Sequence, residues 1–182
     1  MHGVILASFR DFVLTSFGAE RAKEILAGSP VHLISEAYPD EEFHALARRA
    51  CAVTGAEAEA LMHEFGAFAG GTTFPRLYPA FFSVAGDART FLLTVEDRIH
   101  ELVRATIPAA RPPQLVVEPL SDESLRITYA SPRRLCTLLS GLLEGTTSHF
   151  GEPVEYEQTS CMLRGDELCV FEVRLSRGAH AA

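Results

Sequence analysis

An α+β fold is predicted, with a helical N-terminal part packed on a C-terminal antiparallel sheet with helices, and three observations carry the prediction. Apolar residues recur at helical spacing through the first two thirds of the chain and take on strand character in the last third. With 182 residues, 47% of them hydrophobic and 22% charged, the chain can bury a core without disulfide staples. No internal repeat or low-complexity linker divides it. Residues 1–176 therefore read as one domain: 1–85 mainly helical, 86–176 carrying a histidine helix, the sheet and a closing hairpin, and 177–182 a frayed tail.

Taken in order, Ile5, Phe9, Phe12 and Val13 set a first helix over 4–17, and a second over 19–26 stops at Gly28. Pro39-Asp40-Glu41-Glu42 opens a third, its acids in the first turn where the macrodipole favours them. Phe43, Leu46, Ala47 and Ala50 form its buried stripe, and Thr54-Gly55 ends it. A fourth helix over 56–69 leads into a Gly70-Gly71-Thr72-Thr73 loop and the aromatic cluster Phe74, Leu77, Tyr78, Phe81 and Phe82. Leu92, Val95, Ile99, Leu102, Val103 and Thr106 hold a helical period over 88–106, which Ile107-Pro108 stops. Strands are predicted at 115–119, 125–130 and 154–159, with one helix over 132–150 between them. The chain closes in a hairpin, 160–163 against 168–175, around Arg164-Gly165-Asp166-Glu167.

Composition excludes whole classes of function. Sixteen Lys and Arg against 24 Asp and Glu leave a net charge of −8, which repels phosphate backbones, so nucleic acid is not an expected partner. No apolar run approaches the roughly 20 residues needed to span a bilayer, and the start of the chain has no basic leader, so a cytoplasmic protein is expected. Neither G-x-G-x-x-G, a P-loop nor G-x-S-x-G occurs. Asp40-Glu41-Glu42 reads as solvated helix-start charge rather than a catalytic dyad, and no enzyme is predicted.

Three groups of residues could carry chemistry. His100 lies mid-helix at the margin of the apolar stripe, with Glu96 one turn before it and Arg104 one turn after. It can present a ring nitrogen into a cavity as a metal ligand, or be a boundary histidine in a charge ladder. Tyr129, Ser131 and Arg133 alternate along a strand end and so share a face. Two hydroxyls and a guanidinium suit carboxylates or phosphates; equally, Ser131 could cap the next helix with Arg133 solvated. A carboxylate-binding enzyme built on this triad would lack a general base or nucleophile. Cys161 and Cys169 face each other across the closing hairpin, and Cys136 can join them. With His149 as a fourth ligand they would form a zinc site; they could also be an oxidisable pair or buried free thiols. Cys51 reads as core. His63, like the other histidines, belongs to no dense ligand cluster.

The order of these features resembles the haem nitric oxide/oxygen binding (H-NOX) family, related to the haem domain of soluble guanylate cyclase. Four segments between Met1 and Leu175 carry the resemblance: Met1-His2-Gly3-Val4-Ile5, Asp97-Arg98-Ile99-His100-Glu101-Leu102, Arg111-Pro112-Pro113, and Tyr129-x-Ser131-x-Arg133 with Gly141-Leu142-Leu143-Glu144-Gly145 behind it. The resemblance implies haem b buried between the two parts, with His100 as the iron ligand. It implies propionates held by Tyr129, Ser131 and Arg133, and a macrocycle pressed by Pro113 and Ile5.

Oxygen-holding members carry a distal tyrosine where this chain has Leu138, and Phe9 and Ala69 stand at the other matched distal positions. With no hydrogen-bond donor there, the resemblance implies a sensor that binds NO and CO and excludes oxygen. NO would release the helix bearing His100, signalling to a separate histidine kinase or diguanylate cyclase. Cys136, Cys161 and Cys169 further resemble a three-Cys, one-His zinc site of a proteobacterial subgroup, but Gln158 stands at the histidine position. A thiol or zinc redox sensor is therefore the alternative.

Overall fold

Residues 1–176 are described by the structure, a computed structural model; the predicted tail at 177–182 lies outside the described residues. Local signals act where expected in the helical half. Helix α1 spans Gly3–Ser16, capped by His2, whose Nδ1 accepts the Val4 amide at 3.1 Å. Helix α2 spans Gly18–Ile25 and α3 Asp40–Thr54, which closes on Gly55 in the left-handed conformation. Helix α4 spans Ala58–Phe68. The predicted loop at 70–73 is instead a π-helical turn, Ala69–Thr73, closed by Phe74 N–H on the Ala69 carbonyl. The glycines there lack the side chains that would push this stretch away from its neighbour, so the helical path continues. Short helices α5 (Phe74–Leu77), α6 (Pro79–Ala85) and α7 (Ala88–Thr94) follow.

The helix expected over 88–106 is not continuous. A second π-helical turn, Val95–His100, separates α7 from α8 (Glu101–Thr106). A four-stranded antiparallel sheet comes next, built of β1 (Gln114–Pro119), β2 (Ser124–Ala130), β3 (Val154–Ser160) and β4 (Cys169–Leu175) in the order β1-β2-β4-β3. Central strands β2 and β4 alternate cleanly, pairing Leu125 with Val173, Ile127 with Phe171 and Tyr129 with Cys169 on the buried face. A short 3-10 turn, Met162–Arg164, and Gly165 in the left-handed region join β3 to β4.

Helix α9, Cys136–His149, begins four residues later than its predicted start. Pro132 biases Ser131 toward extended backbone, and Arg134 sits at φ 50°, so 131–134 form a tight turn closed by Arg134 N–H on the Ser131 carbonyl. Ser131 therefore is not the helix cap.

Two apolar clusters result. One gathers Leu6, Phe9, Phe12, Phe43, Leu61 and Phe65 in the helical half, with edge-to-face contacts of Phe9 on Phe43 and Phe65 at 5.5 and 5.1 Å. The other lies under the sheet around Leu125, Ile127, Phe171 and Val173. Helix α9 serves both, giving Leu138 to the first and Cys136, Leu139 and Leu143 to the second. It crosses α4 at backbone contact. A Cβ on Gly141 would lie 2.8 Å from the Ala67 nitrogen, and one on Gly66 would lie 2.8 Å from the Leu142 nitrogen. Among the described residues no helix is long and apolar enough to cross a membrane.

Candidate functional site

His100 is the last residue of the second π-helical turn, and its side chain is only 16% exposed. Nδ1 lies 2.8 Å from Glu96 Oε2, while the other Glu96 oxygen takes Arg104 Nη2 at 2.6 Å. Burial alone would raise the Glu96 carboxyl, but hydrogen bonds and charge from His100 and Arg104 outweigh it and hold the group below its ordinary value. Burial lowers the His100 imidazole despite the pull of Glu96, so the ring is neutral at neutral pH. An ionised carboxylate only accepts; the Nδ1 proton therefore points at Glu96 and Nε2 carries the free lone pair. The two charged neighbours that make His100 look like a surface residue in the sequence are what orient its ring.

At the end of β2, Tyr129 and Ser131 are buried and Arg133 is largely covered. The Tyr129 hydroxyl oxygen accepts the Leu135 amide at 3.2 Å and Ser131 Oγ accepts the Arg133 amide at 3.3 Å, and the Ser131 hydroxyl is also within reach of the Tyr129 oxygen. Burial pushes the Tyr129 phenol up, keeping it protonated. Arg133 reaches outward from this strand end to three places. Its Nε donates to Asp40 Oδ2 at 2.8 Å in the helical half, its Nη1 to the Arg111 carbonyl at 2.5 Å, and its own amide to Ser131. Asp40 also takes the Met1 ammonium at 2.6 Å. Burial opposes the ionised form of Asp40, but the bonds from Met1 and Arg133 prevail and hold its carboxyl below the ordinary value. Asp40, read from the sequence as a solvated helix-start charge, thus ties the first helical turn of α3 to the arginine of the triad. Pro113 is half-buried at the entry to β1, two residues past the Arg111 carbonyl.

The residues expected on the opposite face do come together. Phe9, Ala69 and Leu138 are buried in the helical cluster, with Ile5 packed against it half-buried. Two hydroxyls that sequence matching did not consider, Ser8 and Thr73, are also buried in this half and have no partner among the described residues. His63 is committed to Glu144 at 3.1 Å.

Cys136, Cys161 and Cys169 are all buried, with their sulfurs within 4.8 Å of one another. Cys136 and Cys161 lie 3.7 Å apart. Burial and the two neighbouring sulfurs push Cys136 up to about 12. For Cys161 burial is outweighed by the Leu163 and Arg164 amides and the Cys136 thiol, which draw it below its ordinary value. His149 cannot complete this set. It ends α9 while Cys136 starts it, about 20 Å away at helical rise, and it packs 5.0 Å from Phe82. Gln158 keeps a buried Nε2 without a partner among the described residues. Cys51 is half-buried against the helical cluster, as expected.

The family model described as haem-NO-binding matches residues 2–158. No curated protein sequence matches the chain. Among solved structures, an H-NOX protein from S. oneidensis in the Fe(II)NO state is similar at TM-score 0.87 and 22% identity, covering 97% of this chain and all of that one. An Fe(II) unliganded H-NOX protein from K. algicida is similar at TM-score 0.83 and 24% identity over the full length of both. An oxygen-binding H-NOX domain related to soluble guanylate cyclases is similar at TM-score 0.86 and 20% identity, covering all of this chain and 98% of that one. At these identities the likeness is one of fold, and the fold is shared by proteins described in different ligation states.

Proposed function

The chain belongs to the haem-NO-binding (H-NOX) family of haem-based gas sensors, and from that premise we propose that it binds haem b and senses NO and CO while excluding oxygen. The observation that carries the reading is the state of His100: buried, neutral, its Nδ1 proton held by Glu96 and its Nε2 lone pair free. The chain's other donors suit the group. Haem brings an iron that takes one neutral imidazole and leaves a face open to a diatomic gas, and two propionate carboxylates. Arg133 with the hydroxyls of Tyr129 and Ser131 would hold those carboxylates. Ile5 and Pro113 would press on the macrocycle.

Phe9, Ala69 and Leu138 would line the gas face, offering packing and no donor. Bound oxygen carries partial negative charge and needs a donor; NO and CO need little such help. The helix bearing His100 would shift when that residue is released, a ligand-biased change between two states. The receiver is proposed to be a separate histidine kinase or diguanylate cyclase, and the protein itself is not an enzyme. The test is an absorption spectrum of the purified, dithionite-reduced protein before and after NO, with haem quantified, beside His100→Gly. Haem retained by the parent and lost or displaced spectrally in the variant supports the reading; a parent that takes up no haem when supplied with it refutes it.

A second reading is favoured by the three buried sulfurs, which present three of the four positions of a zinc site. Among the described residues no fourth His, Cys, Asp or Glu joins them. Cys136, Cys161 and Cys169 would then hold zinc with an open position or act as a redox thiol set. Zinc content and thiol titration of the parent and Cys136→Ser separate these: stoichiometric zinc lost on substitution supports the first, and metal-free thiols that oxidise reversibly support the second.

A further inference from the structure

We propose that Glu96 is a positioning residue for His100, its Arg104-clamped carboxylate making the imidazole a stronger iron donor and so setting how firmly the helix is latched. The proposal deepens the reading of His100 as the haem ligand and rests on it. Four observations carry it. The 2.8 Å contact joins Nδ1 to a carboxylate rather than a backbone carbonyl, so the hydrogen bond is charge-assisted. The pair is sheltered, with His100 16% and Glu96 26% exposed, so water does not screen it as it would a surface ladder.

Arg104 fixes the second carboxylate oxygen at 2.6 Å, which leaves Glu96 one orientation and locks the ring through it. Finally, Glu96 is bound at its backbone as well. Its carbonyl accepts the Glu101 amide in the bond that closes the π-helical turn, so side chain and main chain of one residue bracket His100. A carboxylate accepting the distal proton of a ligating imidazole raises the basicity of the ligating nitrogen. Arg104 draws on the same carboxylate and moderates the effect. The consequence is a tighter bond on the His100 side than a histidine in an apolar helix would make.

The experiment compares the parent, Glu96→Gln and Glu96→Ala as reduced haem-loaded proteins by resonance Raman spectroscopy. The iron–histidine stretching band is expected to move to lower frequency in the order parent, Gln, Ala, because the amide is a weaker acceptor and the methyl none. Haem transfer to a scavenging apoprotein is expected to quicken about 10–100-fold in the Ala variant. Glu96→Gln is isosteric and decides the matter alone if the Ala variant does not fold. A residue with a merely structural role would lower the melting temperature and leave the band in place. A band unmoved in both folded variants overturns the role of Glu96 while leaving His100 as the ligand. Absence of any iron–histidine band from the haem-loaded parent overturns the ligand reading and this proposal together.

Discussion

Gly141→Ala tests the crossing on which the two halves of the molecule meet. The added Cβ would lie 2.8 Å from the Ala67 nitrogen, with the His63 carbonyl oxygen nearer still, against 3.4 Å for ordinary contact. Both neighbours are α4 backbone and cannot rotate away, so α4 and α9 must part by more than the 0.6 Å that the Ala67 contact alone demands, the His63 carbonyl setting the limit. A gap of that size forfeits about half of each dispersion contact along the interface, and overpacking a tight contact costs about 3 kcal/mol. For a chain of this length that corresponds to a melting temperature lower by about 6–12 °C. Circular dichroism melts backed by urea titration would measure it, with Gly55→Ala as control. Gly55 has open space around its Cβ position and φ of 76°, so alanine there pays only a left-handed backbone penalty of about 1 kcal/mol. If Gly141→Ala costs no more than Gly55→Ala, close packing of the two helices is not what holds this interface.

Asp40→Asn removes the charge that pairs Arg133 and is expected to cost about 2 kcal/mol in urea titration. Because the folded carboxyl sits below its ordinary 3.8, the parent's advantage over the variant is fully present above that pH and fades as pH falls through the lower folded value; a difference constant down to the acid transition would contradict the pairing. Leu138→Tyr puts a phenol among the gas-face residues, and on the proposed function the reduced, haem-loaded variant should hold oxygen in air where the parent does not, read by absorption spectroscopy. Thr73→Val deletes a buried hydroxyl that has no partner among the described residues and should raise stability by about 1 kcal/mol, measured by thermal melt. A loss of stability there would mean that the hydroxyl is satisfied in solution.

Elements with local signals were legible in the sequence. Acids after a proline and a closing glycine mark α3, and strict alternation marks β2 and β4, because each depends on residues within one turn or strand. The π-helical turns were not, since one surplus residue changes neither composition nor the broad period. The Asp40–Arg133 pair spans 93 residues, and a first-turn acid looks the same whether solvated or clamped. Glu96 was visible at its spacing from His100, but that spacing describes a surface ladder equally well; only burial separates the two. His149 failed as a zinc ligand because thirteen positions along one helix become distance rather than proximity. The α4–α9 contact did have a signal, small residues on both sides: Gly66 faces Gly141, and Gly71, just past α4, faces Gly145.

The π-helical turn at Val95–His100 ties the direction of the His100 side chain to chain length. Removing one residue before His100 would let the segment relax into regular α-helix and swing the imidazole by about 100° around the axis. The imidazole would then face another part of the molecule even if Glu96 still stood within a turn of it. Point substitutions in this stretch are thus a milder perturbation than a single-codon deletion.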